Sequence, residues 1–373
     1  MLAKVSLALS VVIGCFAGAA PALAQGKAQS QRSTTLPVAT AVGESGVLNS
    51  APYRIDVPAG WRGGLIVLFH GYVISGEKRS EPYPALTGTA LFLARGYAVI
   101  QSGYSRQGWA VAEARADTRA LRDVFERRFG RPGRTYAVGY SMGGHLALAT
   151  VEQEAARYDG ALSLCGANMP TTSLLNKAVA DLAAAQSLFP NTIPDLNAAD
   201  APALMDGQPL QKAIAGNLAA AAQLATFTGF RAANLHETLW LFYAVVRELN
   251  ARAGGFPGDN RQTLYRGFGD DRAFNDRVKR YAGSRVAAGY IRAHSTLTGR
   301  LRDPVVLLSN AYDDVVSVST QHVYPGLVRR AGRSDRLTLL PSVGEGHCRF
   351  NAEQIGAAFD RLRRQAEGPL PTR

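Results

Sequence analysis

The chain has 373 residues, of which 47% are hydrophobic and 19% are charged. This composition excludes a disordered or collagen-like chain and is sufficient for a large core, either in one domain or in one domain with an insertion. The net charge is +12, but the arginines are scattered and form no long basic run. The charge therefore predicts a basic soluble surface and no nucleic-acid partner.

The N-terminus is typical of an export signal. Lys4 gives a positive start, residues 5–20 are almost entirely apolar, and Ala22-Leu23-Ala24 is a small-x-small cleavage site. The sequence predicts a signal peptide over 1–24, a mature chain that begins at Gln25, and a periplasmic or secreted protein. The apolar run is too short for a stable membrane span.

The three cysteines leave two questions open. Val12-Ile13-Gly14-Cys15 offers a lipoprotein alternative, with a lipid on Cys15, but the apolar, alanine-rich stretch that follows disfavours it. If Cys15 leaves with the signal peptide, Cys165 and Cys348 remain. An even pair of cysteines in an exported protein suggests a disulfide.

The mature chain begins with a run of alternating strands and helices. Residues 25–50 are rich in polar residues and glycine, and they predict a loose N-terminus. Apolar runs and apolar alternation then predict strands over 52–58, 65–69, 97–100, 134–139 and 160–165, with helices over 84–95, 111–129 and 146–156. Strands that alternate with helices indicate a parallel sheet with right-handed crossovers.

The pattern changes between residues 168 and 299, where strand signals almost disappear. Helical periodicity predicts helices over 178–188, 210–224, 234–251 and 270–294. Strands resume over 304–308 and 337–340, and a final helix covers 351–365. We therefore expect a discontinuous core over 25–169 and 300–373 with a helical insertion over 170–299. A second, independent helical domain is the alternative.

The strongest motif is Gly139-Tyr140-Ser141-Met142-Gly143, which lies between a predicted strand and a predicted helix. Strand, sharp turn and helix are the context that Gly-x-Ser-x-Gly needs to expose a nucleophilic serine. The alternative is a glycine-rich turn with a buried serine. A serine nucleophile needs a base and an orienting acid, and in a doubly wound sheet these lie at the carboxyl ends of the strands.

Two aspartates and one histidine meet this requirement. Asp313 and Asp314 follow the strand at 304–308, whereas Asp303 precedes it and lies at the wrong edge. We favour Asp313 and keep Asp314 as the alternative. His347 follows the last strand in a glycine-containing loop and is the predicted base. The resulting chain order is serine, aspartate, histidine.

An oxyanion needs donors as well. The N–H of Met142, directly after the nucleophile, is one predicted donor, and the N–H of Tyr72, after the strand that ends in His70-Gly71, is the second.

Together these motifs give the chain a resemblance to the α/β-hydrolase superfamily of serine hydrolases, over residues 50–169 and 300–366. The resemblance rests on His70-Gly71, the motif from Gly139 to Gly144, Asp313 with Val316, and Gly346-His347. It implies an α/β-hydrolase fold, with a mostly parallel, doubly wound sheet, and it places residues 170–299 where the family has its lid.

Within that superfamily the chain is similar to secreted bacterial esterases with a Gly-His-Cys loop, including relatives of feruloyl esterases and tannases. In those proteins the cysteine beside the histidine pairs with a cysteine next to the nucleophile, a place that Tyr140 occupies here. Cys165 ends the next strand, and a Cys165–Cys348 bridge would tie the histidine loop to the sheet. The alternative is two buried free thiols.

The expected function is therefore hydrolysis of small-molecule carboxylic esters by an exported enzyme. The sequence contains no nucleotide-binding or zinc-binding motif, so no cofactor and no metal are expected. Tyr104 and Trp109, with Trp240 and Phe242, are candidates for the substrate pocket, although ordinary core packing is the better explanation for each of them. A serine peptidase on the same fold and a non-enzymatic binding protein are the alternatives.

Overall fold

The computed structural model describes residues 40–77 and 80–367, so the predicted signal peptide, Cys15 and Gln25 lie outside the described residues. In the described ranges eight strands form one sheet. They are β1 (Thr40–Leu48), β2 (Ala51–Pro58), β3 (Gly64–Phe69), β4 (Ala98–Ser102), β5 (Arg134–Tyr140), β6 (Gly160–Leu164), β7 (Val305–Leu308) and β8 (Leu337–Leu339).

The helices surround this sheet and fill the long stretch between β6 and β7. They are α1 (Thr89–Ala94), α2 (Val111–Phe129), α3 (Met142–Gln153), α4 (Thr171–Leu188), α5 (Gln208–Gly216), α6 (Leu218–Thr228), α7 (Leu235–Ala253), α8 (Asp271–Arg277), α9 (Arg285–His294), α10 (Val323–Arg330) and α11 (Ala352–Glu367). Residues 170–299, which contain α4 to α9, are called the helical segment below. Within the described residues no helix is long and apolar enough to cross a membrane.

The strand order is β1-β2-β4-β3-β5-β6-β7-β8. Strands β3 to β8 run parallel, whereas β2 pairs antiparallel with both β1 and β4. The predicted mostly parallel, doubly wound sheet is confirmed. Because all parallel strands end at one edge, the loops after β3, β5, β6, β7 and β8 lie along the same side of the molecule.

The hydrophobic core lies on both faces of this sheet. Leu65, Val67 and Phe69 of β3 belong to the cluster that includes apolar residues of α2 and α3. Ile66 and Leu68 belong to the opposite cluster, together with apolar residues of α1 and α11. Side chains alternate between the faces of a strand, so a strand covered by helices on both sides is apolar throughout, as the sequence of β3 is.

One strand was wrongly predicted as loose chain. Residues 40–48 form β1, which pairs with β2 through a tight turn at Asn49 and Ser50, where both residues have positive φ (49° and 66°). An edge strand pairs along one side only and needs little apolar sequence, so β1 carries two glycines and a glutamate and gives almost no strand signal.

Three predicted helices are shortened or divided in the structure. The predicted 84–95 helix shortens to α1, which begins after Gly88 at a φ of 91°. The predicted 210–224 helix is split by Asn217, whose side chain accepts a 3.0 Å hydrogen bond from the N–H of Ala220 and so caps α6. The predicted 270–294 helix is split in the same way, because Ser284 caps α9 after a non-helical stretch over 278–284.

Candidate active site

Ser141 occupies a sharp turn between β5 and α3. Its backbone has φ 57° and ψ −122°, a conformation that costs a serine on the order of 1–3 kcal/mol. A Cβ atom on Gly139 would lie 1.9 Å from the carbonyl oxygen of Gly143, and one on Gly143 would lie 2.2 Å from the carbonyl oxygen of Phe69. Both flanking glycines are therefore required by close backbone contacts, as the motif predicts.

The first turn of α3 lies directly beside Ser141. Met142 is the first residue of this helix, and the first N–H groups of a helix have no partner within it. The N–H groups of Gly144 and His145 donate to the carbonyl oxygen of Ser141 at 2.9 and 3.3 Å. The positive end of the helix dipole thus lies at the serine, which favours a developing negative charge there.

The loop after β3 lies directly against the serine. A Cβ atom on Gly71 would be 3.2 Å from the Cβ atom of Ser141, so Tyr72, the next residue, is close to the turn. Burial raises the pKa of the Tyr72 hydroxyl well above its ordinary value, and the nearby Glu248 carboxylate raises it further. The two predicted oxyanion donors therefore flank the serine, Tyr72 from the loop after β3 and Met142 from the start of α3; their function stays a prediction.

Tyr104 and Trp109, two predicted pocket residues, are buried. The Tyr104 ring stacks on the His70 ring with centroids 3.9 Å apart, and its hydroxyl donates to the carbonyl oxygen of His70 at 3.2 Å. The Trp109 indole donates to the hydroxyl of Thr171 at 3.1 Å. In these positions Tyr104 supports the loop after β3, and Trp109 packs the helical segment onto the core. A role of either residue in binding stays a prediction.

The loops after β7 and β8 bring Asp313 and His347 together. Nδ1 of His347 lies 2.9 Å from both carboxylate oxygens of Asp313, and both side chains are almost completely buried. Oδ1 of Asp313 also accepts hydrogen bonds from the N–H groups of Val315 and Val316 at 2.9 and 2.8 Å. These contacts fix the carboxylate, so that it holds the histidine ring in one orientation.

Asp314 contacts the same histidine in a different way. Its Oδ1 atom accepts a 2.8 Å hydrogen bond from the backbone N–H of His347. A carboxylate at Nδ1 favours the tautomer that carries its proton there, which leaves Nε2 as the basic nitrogen. Nε2 of His347 is buried and has no hydrogen-bond partner in the part of the chain that the structure describes.

A disulfide joins Cys165, at the end of β6, to Cys348, with 5.2 Å between their Cα atoms. The two sulfur atoms and a ring nitrogen of His347 all lie within 4.8 Å of one another. The N–H of Ser141 donates to the carbonyl oxygen of Leu164 at 3.0 Å. A short path, Ser141 to Leu164, Cys165, Cys348 and His347, therefore connects the serine turn with the histidine. Because both sulfurs are in the disulfide, they offer no thiolate to a metal ion.

Sequence reasoning missed the role of Asn310, although this residue stands in the acid loop. Its Oδ1 atom accepts from the N–H of Cys348 at 3.1 Å, and its Nδ2 atom donates to the carbonyl oxygen of Val343 at 3.0 Å. Asn310 thus holds the two ends of the histidine loop. The signal available in the sequence was an amide side chain two residues after an apolar strand; the structure shows that this side chain is buried.

A cavity of about 470 Å³ has Tyr72 in its lining. Strands β3 and β4 lie on one side of β5 and its serine turn, whereas β7 and β8, which precede the loops of Asp313 and His347, lie on the other. The cavity is formed by the loops after β3 and β4 together with part of the helical segment. Its lining includes Ile74, Ser105, Arg106, Leu204, Ala244, Arg247, Glu248 and Arg252.

One sheet carries the serine turn after β5, the aspartate after β7 and the histidine after β8, and its strand order is that of a known fold. The chain has the α/β-hydrolase fold. No protein-family model and no curated protein matches it in sequence.

Solved structures match the fold over most of the chain. An esterase of Pyrococcus furiosus matches with a TM-score of 0.44 and 12% identity, over 87% of this chain and 91% of its own. The acylaminoacyl peptidase of Pyrococcus horikoshii matches with 0.49 and 10%, over 89% of this chain but only 43% of its own. Brefeldin A esterase, a bacterial homologue of human hormone-sensitive lipase, matches with 0.43 and 15%, over 92% and 79%. At these identities the likeness concerns the fold alone.

Proposed function

We propose that the protein is a serine hydrolase that cleaves carboxylic esters, with Ser141 as nucleophile, His347 as base and Asp313 as the orienting acid. The observation that carries the proposal is the contact of His347 Nδ1 with both oxygens of a buried Asp313, at 2.9 Å. The strained serine turn, which is connected to this pair through the disulfide, supplies the nucleophile, the hydroxyl of Ser141. A hydroxyl needs this arrangement to attack a carbonyl at neutral pH.

In the proposed mechanism Oγ of Ser141 attacks the ester carbonyl while Nε2 of His347 takes the serine proton. The tetrahedral intermediate collapses, the C–O bond to the alcohol breaks, and the proton passes from Nε2 to the leaving alcohol. A water molecule then attacks the acyl-enzyme, and Nε2 of His347 takes its proton. The bond between the acyl carbon and Oγ breaks, the proton passes from Nε2 to Oγ of Ser141, and the carboxylic acid is released. Asp313 stabilises the imidazolium that forms in each half of the reaction.

The developing oxyanion is held by the backbone N–H groups of Met142 and Tyr72. The position of Met142 at the start of α3 and the contact of Gly71 with Ser141 support this assignment. Loss of one such donor typically raises the barrier by about 2.7–4 kcal/mol.

In the proposed complex the alcohol part and the acyl part of the ester extend from Ser141 in opposite directions. The leaving alcohol must face His347, because this residue protonates it, so the acyl group extends toward the loop after β3. The cavity beside Tyr72 lies in that direction and is bounded by the helical segment. We therefore assign the cavity to the acyl group, and we assign the helical segment to a lid that closes it.

The protein is proposed to act outside the cytoplasm. A charged start, an apolar run and a cleavage site support a signal peptide over residues 1–24. The disulfide between Cys165 and Cys348 supports an oxidising compartment.

Two measurements test this function. A fluorophosphonate probe should label the folded protein, and peptide mapping should locate the label on Ser141. Turnover of nitrophenyl esters and of aminoacyl-arylamides by residues 25–373 should then favour the esters. Dominant amide turnover would favour the peptidase alternative, and the absence of both labelling and turnover would support a binding protein without catalysis.

A further inference from the structure

We infer that Arg231, in the helical segment, is a positioning residue that holds the loops carrying Asp313 and His347. This inference rests on the proposed function of those two residues. Residues 229–238, which connect α6 to α7 and include the first turn of α7, contact both of these loops. We call residues 229–238 the latch.

The main contact is a bidentate ion pair. Nη1 and Nη2 of Arg231 donate to the two carboxylate oxygens of Glu345, each at 2.8 Å. Glu345 stands two residues before His347 in the same loop. The Arg231 guanidinium lowers the pKa of the Glu345 carboxyl below its ordinary value, so the pair is charged at neutral pH. A bidentate pair fixes direction as well as distance.

The same arginine also contacts the acid loop. Its guanidinium carbon lies 3.9 Å from the ring centroid of Tyr312, the residue before Asp313. Its backbone N–H donates to the Tyr312 hydroxyl at 3.0 Å, and that hydroxyl donates to Oδ1 of Asn234 at 2.8 Å. One side chain of the latch therefore contacts a residue in each of the two loops, one position from Asp313 and two positions from His347.

Two further contacts of the latch lie on the far side of Asp313. The hydroxyl of Thr238 donates to the carbonyl oxygen of Asp314 at 2.6 Å. Gly229 lies so close to the acid loop that a Cβ atom there would be 2.7 Å from Oγ of Ser317. The acid loop is thus bracketed by the latch, from Tyr312 to Ser317.

The two catalytic loops are also joined to each other at this point. Tyr312 and Glu345 form an isolated parallel bridge, in which the N–H of Gly346 donates to the carbonyl oxygen of Tyr312 at 2.9 Å. Arg231 contacts both members of this bridge. Movement of the arginine would therefore be transmitted to the acid and to the histidine at the same time.

The helical segment has a second attachment that does not depend on Arg231. Arg252 of α7 pairs with Glu248 and with Glu113 of α2 at 2.6 Å, and its side chain is only 7% exposed. The Arg231 and Glu345 side chains are 55% and 59% exposed. The buried attachment keeps the segment on the core, so removal of the exposed pair should loosen the latch without unfolding the protein.

The test compares Arg231→Gln, Glu345→Gln and the double variant with wild type in ester turnover. Arg134→Gln is the matched control, because Arg134 is 49% exposed and pairs with Asp159 at the opposite edge of the sheet. Each latch variant should lower kcat by about 10-fold to 100-fold, as small misplacements of catalytic groups do, with KM changed less than about two-fold. The double variant should be no worse than either single variant, and Arg134→Gln should behave as wild type.

Hydrogen exchange provides the second readout. Arg231→Gln should speed exchange in residues 311–317 and 343–349, and Arg231→Lys should restore part of both kcat and protection. Unchanged kcat in both single variants, additive losses, a rise in KM alone, an equal loss in Arg134→Gln, or unchanged exchange would each overturn the inference. If wild type has no ester turnover, the proposed function fails, and the exchange rates alone decide whether Arg231 holds the loops.

Discussion

Asp313 and His347 face each other with both carboxylate oxygens 2.9 Å from Nδ1, whereas the adjacent Asp314 bonds only the backbone N–H of the same histidine. Two neighbouring aspartates thus contact one histidine at chemically different atoms. Only the first contact can fix the tautomer and stabilise a charged ring.

This difference predicts different effects for two matched substitutions. Asp313→Asn should lower kcat for nitrophenyl esters by about 10⁴-fold, because an amide favours the wrong tautomer at the nucleophile's base. Asp314→Asn keeps an acceptor oxygen for the His347 N–H, and the loss should stay below about ten-fold, the value of one hydrogen bond. Steady-state kinetics of both variants checks this. Equal losses, or a larger loss for Asp314→Asn, would mean that Asp313 has been assigned the wrong role.

The sequence could narrow the orienting acid to Asp313 or Asp314, but it gave no physical ground to choose between them. The end of an apolar strand at Leu308 indicates which edge of the sheet Asp313 and Asp314 occupy, and it excludes Asp303. Their order along the loop does not say which carboxylate points at a ring and which at a backbone N–H. That depends on the turn that Val315 and Val316 make over Asp313.

The disulfide should affect both stability and catalysis. The double variant Cys165→Ala/Cys348→Ala opens a loop of 183 residues, and loss of a native disulfide typically lowers the free energy of unfolding by about 2–5 kcal/mol. Because Cys348 adjoins His347, kcat should also fall at temperatures well below the melting point. Denaturant unfolding and kinetics at 20–25 °C, about the usual assay range, separate the two effects. A variant with lower stability but wild-type kcat would show that the bridge does not position the histidine.

Long-range contacts mark where sequence reasoning ends. The serine turn, His347 and the buried strands follow from local patterns, because each is encoded within a few residues. In the pairing of β1 with β2 and in the contact of Arg231 with Glu345, at least one partner has no strong signal in its local sequence. An exposed arginine in a polar loop has the same local signature whether or not it contacts the His347 loop, 114 residues away.

His145 should make stability depend on pH. Burial lowers its pKa from 6.5 to about 4, so below pH 6.5 the unfolded chain binds a proton that the folded chain does not. Stability from this group is therefore lost as pH falls from 6.5 toward 4. Burial raises the pKa of Asp181 from 3.8 to about 6, against the effect of Lys177, and this acts in the opposite direction: its stabilisation is complete below 3.8 and is lost as pH rises through 6.

Comparison of His145→Asn with wild type isolates the histidine, because Asp181 is present in both. At pH 7.5 the free energy of unfolding of the variant should be lower than that of wild type. This difference should shrink by about 2 kcal/mol at about pH 5, because between the two pH values only wild type loses stability through the imidazole ring. Urea unfolding at the two pH values measures the difference. A deficit that stays constant or grows at the lower pH would contradict a neutral, buried His145.

The cavity beside Tyr72 should favour acyl groups with a negative charge. Arg252 is paired with Glu248. Among the described residues Arg247 bonds only the backbone carbonyl oxygens of Leu196, Ala198 and Ala201, and Arg106 forms no ion pair. Glutarate and valerate nitrophenyl monoesters differ mainly in one carboxylate. Arg106→Gln should lower kcat/KM for the glutarate by about two-fold to five-fold, the value of an exposed charge pair, and leave the valerate unchanged. Equal effects on both esters would contradict a preference of this cavity for negatively charged acyl groups.

The most direct test of the whole account is ester turnover by residues 25–373 beside the Ser141→Ala variant. Ser141 lies at the centre of the serine turn and at one end of the path through the disulfide, and it is the nucleophile of the proposed mechanism. Wild type should hydrolyse nitrophenyl esters at a measurable rate, and the variant should lose about 10³-fold or more of this activity, with an unchanged circular dichroism spectrum. Turnover that survives in Ser141→Ala, or a folded wild type without turnover or phosphonate labelling, would contradict the proposed mechanism.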